Sequence, residues 1–159
     1  MGRIASFEAF WPYYISEHRD STSRRLHFLG TSGFFAACGV SVVLHPLLFV
    51  PALVAMAAIA THAVTRVEAH RRSLPHVLGM LLLPSLASPM VFPAGVVFAY
   101  GCAWVGHFRF EGNRPATFSY PVWSLASDLR MWSHMARGRL WAGDPVAELG
   151  LSVDPSPVS

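Results

Sequence analysis

A chain of 159 residues allows one domain, and this one is 53% hydrophobic with only 13% charged residues, about half the charged share of an ordinary soluble protein. Its net charge of +3 comes from arginines that flank apolar runs rather than forming a basic stripe, which excludes a nucleic-acid-binding surface. Asp, Glu, Lys and Arg are absent between Arg25 and Arg66 and again between Arg72 and Arg109; two such stretches exclude a soluble fold and predict an all-α integral membrane protein.

In chain order, residues 6–18 (SFEAFWPYYISEH) read as an aromatic interfacial helix, with Trp11, Tyr13 and Tyr14 suited to the headgroup level. No basic region precedes an apolar core at the N-terminus, so no leader peptide is expected. Asp20-Ser21-Thr22-Ser23 is a turn, any of whose last three residues can cap the helix that follows. Each uncharged stretch is too long for one span, because a helix of roughly 40 residues would extend about 60 Å, twice the hydrocarbon thickness. Each also carries a breaker. His45-Pro46 separates 27–44 from 47–65, and the series Pro84, Pro89 and Pro93 separates 76–90 from 93–108, with Pro84 able to kink its own span. The expectation is four short transmembrane helices in two hairpins.

Arginine placement agrees with that count. Arg3, Arg19, Arg24 and Arg25 precede the first hairpin, Arg66, Arg71 and Arg72 join the two, and Arg109, Arg114, Arg130, Arg137 and Arg139 follow the second. The positive-inside rule then puts both termini in the cytoplasm, with the bacterial inner membrane as the expected location. Residues 121–141 read as an amphipathic helix with Trp123, Leu129, Trp132 and Ala136 at helical spacing. The membrane domain is expected to end at 142, with 143–159 a disordered tail rich in proline, serine and acid. Cys38 and Cys102 lie inside the apolar runs and read as small buried hydrophobes.

Eight histidines is a high number for so apolar a chain. His18 ends the N-terminal segment, His27 opens the first span, and His107 closes the fourth, followed one helical turn later by Glu111. Four spans place all four residues at one membrane face, which is the topological condition for a shared metal site. His18 and His27 can meet only if the chain turns between them, and Asp20–Ser23 supplies the turn; His107 and Glu111 share a helical face. Imidazoles with one carboxylate and an open position suit Fe(II) or zinc, and ligand softness does not separate the two. Glu111 has the competing role of pairing with Arg109 or Arg114. His45 lies at the opposite face, while His62, His70, His76 and His134 read as structural or solvated, His62 being notable for lying within a span.

Two stretches, FWPYYISEHRDSTSRRLHFLGT at 10–31 and AWVGHFRFEGNRPATFSYPVWSLASDLRMW at 103–132, together resemble the membrane family typified by the yeast endoplasmic-reticulum 2-hydroxy-fatty-acid dioxygenase. The resemblance runs from residue 6 to about 140 and is carried by a histidine-bearing N-terminal segment paired with GH-x3-E-x3-PA. It implies Fe(II)-dependent α-oxidation, in which a 2-hydroxy fatty acid and O2 give the acid one carbon shorter. It also implies His18, His27 and His107 as the family's histidines, with Glu111 at its acidic position. Asp20 stands where the family often has asparagine. On that chemistry Arg24, Arg25, Arg114 and Asn113 are candidates to meet the substrate carboxylate, and the acyl chain would lie among the apolar helices.

The residues alone leave a second class open, a non-catalytic lipid-binding or scaffold protein whose histidines are interfacial or hold structural zinc. A di-iron hydroxylase is disfavoured because the chain lacks HxxH clusters. A transporter is disfavoured because the spans hold almost no ionisable side chain to mark a path.

Overall fold

The computed structural model describes residues 4–68 and 72–152. Arg3, His70, Arg71 and residues 153–159 lie outside them. The described residues are helical, without strands. Helix α1 (Phe7–Ser16) starts at Ser6, whose hydroxyl accepts from the Ala9 amide at 3.2 Å. Helix α2 (Ser21–Leu44) is capped by Asp20, whose carboxylate accepts from the amides of Thr22 at 2.6 Å and Ser23 at 3.3 Å. The cap is therefore the aspartate that opens the turn, and not one of the three residues after it. Asp is as good an N-cap as Ser.

His45 separates α2 from α3 (Pro46–His62), with Pro46 in the first helical position, where its missing N–H costs nothing. Helix α3 continues as a π-helical turn, Ala63–Val67. Helix α4 (Leu74–Ala87) contains Pro84, and the chain reverses at 88–90 before α5 (Val91–Val105), which runs on as a π-helix, Gly106–Glu111. A short 3-10 turn (Ala116–Phe118) leads into α6 (Pro121–Ala136) and the single turn α7 (Pro145–Glu148).

Three of these segments are long and apolar enough to cross a bilayer: Ser21–Leu44, Pro46–Val67 and Val91–Glu111. Leu74–Ala87 is a shorter apolar helix. Much of their apolar surface faces outward, as at Val97 (71% exposed) and Val54 (66% exposed), a surface that lipid tails would cover.

The expected hairpin partners are not the main packing pairs. Helix α2 packs most extensively on α5, and α3 on α4. Small residues make the α2–α5 approach possible. A Cβ on Gly30 would lie 3.0 Å from the Ala99 carbonyl oxygen, and one on Gly106 would lie 2.8 Å from Ser23 Oγ. Gly95 meets Ala37 and Phe34 in the same way, so the two helices run antiparallel over most of their length. A cluster of Phe49, Ala87 and Phe92 closes the bundle at one end.

At the other end, α1 and α6 pack together through Phe10, Trp11, Ile15, Trp123, Met131 and Met135. Helix α6 buries Trp123, Ser124, Ser127, Met131 and Met135, while Leu129 and Ala136, expected on its inner face, are exposed. Beyond Gly143 the sequence pointed to a tail, yet Val146, Leu149 and Leu151 pack on the α1–α6 cluster.

Candidate metal centre

His18, His27 and His107 come together between α1, α2 and the π-helix after α5. Each can offer a ring nitrogen such that all three lie within 4.8 Å of one another. The ring centroids are 4.6, 4.7 and 5.3 Å apart, and all three residues are buried.

Every ring is anchored through Nδ1. His18 Nδ1 lies 2.7 Å from the Tyr14 carbonyl oxygen, one helical turn back. His27 Nδ1 lies 2.6 Å from Asp128 Oδ1. His107 Nδ1 lies 2.7 Å from Asn113 Oδ1. A carbonyl and a carboxylate only accept, so His18 and His27 donate from Nδ1. The Asn113 amide is oriented by its own donations from Nδ2 to the Glu17 carbonyl at 2.9 Å and Glu17 Oε2 at 3.0 Å, so its oxygen faces His107 and accepts. In the neutral rings this leaves the lone pair on Nε2. The Nε2 atoms of His18 and His27 are buried with no hydrogen-bond partner. Orphaned buried nitrogens with outer acceptors fixing the tautomer are the arrangement that protein metal sites use. Burial, with His27 and His107 alongside, also holds the His18 pKa well below its ordinary value, which keeps the ring neutral. The three histidines could hold a metal ion.

Local sequence explains the placement. Gly112 takes a left-handed φ of +65° that ends the π-helix. This turn brings the Asn113 amide to 3.2 Å from the His107 carbonyl, and the Asn113 side chain to the ring. A π-helical turn is itself uncommon and recurs at functional sites.

The other expected site residues are placed differently. Glu111 stands outside the histidine group. Its carboxylate accepts from the main-chain amides of Arg19 at 3.2 Å and Asp20 at 3.0 Å, clamping the turn that carries His18. Arg24 is fully buried, and its guanidinium donates to the carbonyls of Leu140, His18, Arg19 and Gly143 at 2.7–3.0 Å. Arg25 donates to the Trp141 carbonyl at 3.2 Å, and Arg114 lies over the Phe118 ring at 4.6 Å. Asn113, expected at the substrate, orients His107. His62 and His76 pair with each other, Nδ1 to Nε2, at 3.0 Å, and His134 stacks on Trp11.

Asp128 was missed by the sequence reading. Besides His27 it accepts from the Thr31 hydroxyl and, at 3.4 Å, from the Tyr14 hydroxyl. Burial and this carboxylate push the Tyr14 phenol well above its ordinary pKa, so Tyr14 Oη keeps its proton. The signal was available. At about 100° per residue, Trp123, Ser127, Met131, Ser124, Met135 and Asp128 fall within one arc of α6, and an acid on that arc faces inward.

A cavity of about 140 Å³ opens beside the histidines. His27, His107, Tyr14, Thr31 and Asp128 form its polar end, and the rest of its wall is mostly apolar, interrupted by Tyr100, Thr117 and Ser124, with no arginine among the lining residues.

Over residues 4–140 the sequence matches the Mpo1-like family, described as 2-hydroxy-palmitic acid dioxygenase Mpo1-like, and the chain belongs to that family. No curated protein and no solved structure matches it. The family description names a dioxygenase, and with it a lipid substrate and O2.

Proposed function

We propose that this protein is a membrane-embedded Fe(II)-dependent dioxygenase that shortens 2-hydroxy fatty acids by one carbon. The observation that carries the reading is the set of three buried histidines, each anchored through Nδ1, two of which, His27 and His107, line the polar end of a mostly apolar cavity. His18, His27 and His107 would hold the metal. Iron fits better than zinc because O2 chemistry needs a redox-active ion, and zinc has no accessible redox change. Bound Fe(II) would supply the centre at which O2 is reduced and the 2-hydroxy acid is held.

The overall change balances without a further reductant. The 2-hydroxy acid and O2 give the shortened acid, CO2 and water, with the C1–C2 bond broken, C2 oxidised to a carboxyl and O2 reduced by the four electrons released. The chain's own contributions are positional. Asp128 and Asn113 hold the His27 and His107 rings in register, and Arg24 and Glu111 hold the His18 turn. Tyr14 Oη and Thr31 Oγ1 offer hydroxyls beside the reacting end, and the apolar wall receives the acyl chain and excludes water.

In the same reading the bundle crosses the membrane four times. Helix α4, about 21 Å long from its 14 residues, packs through Val77 and Met80 near α6 and through Ala87 in the cluster at the opposite end. This supports a fourth traversal, and the arginine distribution supports cytoplasmic termini in the bacterial inner membrane.

The test is metal analysis and turnover of detergent-purified protein after anaerobic Fe(II) reconstitution, for the wild type beside His27→Ala and His107→Ala. Near-stoichiometric iron, lost in both variants, with O2-dependent formation of the acid one carbon shorter, is the expected result. No bound metal despite reconstitution would sink it. Zinc without turnover would favour a non-catalytic lipid-binding protein.

A further inference from the structure

We propose that Phe92, with Phe34 beside it, forms the floor of the acyl-chain site and sets the longest chain the protein accepts; this rests on the fatty-acid reading above. The cavity is lined along α2 by His27, Thr31 and Phe34, and along α5 and the π-helix that continues it by His107, Ala103, Tyr100, Val96 and Phe92. Both sets follow three- and four-residue spacing, so each is a single strip on one helix face. Because α2 and α5 are antiparallel, both strips lead from the histidines towards the phenylalanines.

Depth follows from helix rise. At 1.5 Å per residue, Phe34 lies about 10 Å from His27 along α2, and Phe92 about 22 Å from His107 along α5. These values bracket half the hydrocarbon thickness, about 15 Å, which is the length of one lipid tail. Chemistry at the first two carbons fixes the head of the substrate at the histidines. The position of the tail end is then decided by the floor.

The floor is rigid where the walls are not. Phe92 is 1% exposed and meets Phe34 edge-on at 5.6 Å between ring centroids. Behind it Phe49, fully buried, packs at 5.8 Å and leaves Phe92 nowhere to swing. Met56 and Met80 in the walls are unbranched and flexible, so the width can adapt to a chain while the end cannot.

The experiment measures affinity of the full chain in detergent for two homologous series, saturated 2-hydroxy fatty acids and plain fatty acids, by displacement of a fluorescent fatty acid. In the wild type, affinity rises about fourfold per added methylene, the increment for burying one CH2, and then stops rising at a defined length. Phe92→Ala is expected to move that plateau to longer chains, and Val96→Phe, which fills the cavity above the floor, to shorter ones. Phe92→Leu gives a smaller shift in the same direction and replaces Phe92→Ala if the latter fails to fold. Plateaus that stay at the wild-type length, or that move together, overturn the proposal, as does the absence of saturable binding in both series. Equal wild-type affinity for the two series would instead sink the 2-hydroxy-acid reading and leave the plain series to judge the floor.

Discussion

Two groups of histidines lie in this bundle, and they differ in what holds the second ring nitrogen. In the buried group each Nδ1 donates to a separate acceptor on a separate element: the Tyr14 carbonyl, the Asp128 carboxylate and the Asn113 amide oxygen. In the other group, His62 Nδ1 and His76 Nε2 face each other at 3.0 Å, with the rings stacked at 5.1 Å. One of those rings donates and the other accepts, so these two nitrogens satisfy each other, although His76 Nδ1 stays buried without a hydrogen-bond partner. The first group cannot satisfy itself, because its free nitrogens all point inward and all accept. Closeness of imidazoles is common to both; a fold that has already assigned the tautomers is found in only one.

The sharpest way to break this comparison is to exchange the groups in a metal-binding assay. His18→Ala is expected to abolish binding, and the double variant His62→Ala/His76→Ala to keep the wild-type metal content by mass spectrometry. Loss of metal in the double variant would erase the distinction. Next in size is Arg24→Ala, which strips hydrogen bonds from four main-chain carbonyls at once and should lower stability by about 3 kcal/mol. Thermal unfolding in detergent reads this, and Arg24→Lys should not rescue it, since an ammonium cannot reproduce the guanidinium fork.

Asp128→Ala leaves all three ligands in place and removes only the acceptor behind His27. Competition with a chelator should show metal affinity reduced about 10–100-fold rather than abolished. Wild-type affinity would mean that the outer acceptors do not matter. The smallest effect concerns Asp20. The Thr22 amide holds its carboxyl below the ordinary range, so the folded pKa lies below the unfolded one. Its cap contribution is then complete above the unfolded value and is lost as pH falls through the folded value. Asp20→Asn should remove that acid-side loss while leaving stability near neutral pH almost unchanged, as thermal melts across pH would show.

Much of the framework was legible in the sequence because its signals are local. Uncharged runs with a His45-Pro46 break and a proline series mark helices and turns without reference to anything distant. The convergence of His18, His27 and His107 was legible from topology, since each sits at a helix end on the same side. The partners of these histidines were less so. His27 and Asp128 are 101 residues apart, and nothing near Asp128 distinguishes it from a solvated acid until the inner face of α6 is assigned correctly. Trp132 and Leu129 drew that face to the wrong side, although Trp132 is only half-buried and bonds Ser32 through its indole N–H. Arg24 and Arg25 are adjacent and chemically identical, yet one is fully buried and the other exposed. Arg24 alone turns in to the His18 and Arg19 carbonyls, while both reach the chain beyond residue 139.

That last contact has a consequence for the order of assembly. Arg24 ties the His18 turn to the carbonyls of Leu140 and Gly143, 116 and 119 residues later. A ribosome makes the first histidine of the site early and those two carbonyls near the end of the described chain. The nascent protein therefore carries His18 through synthesis of all its apolar helices before the last tether exists. This tether of the His18 turn is therefore a late event, formed after the apolar helices have been made.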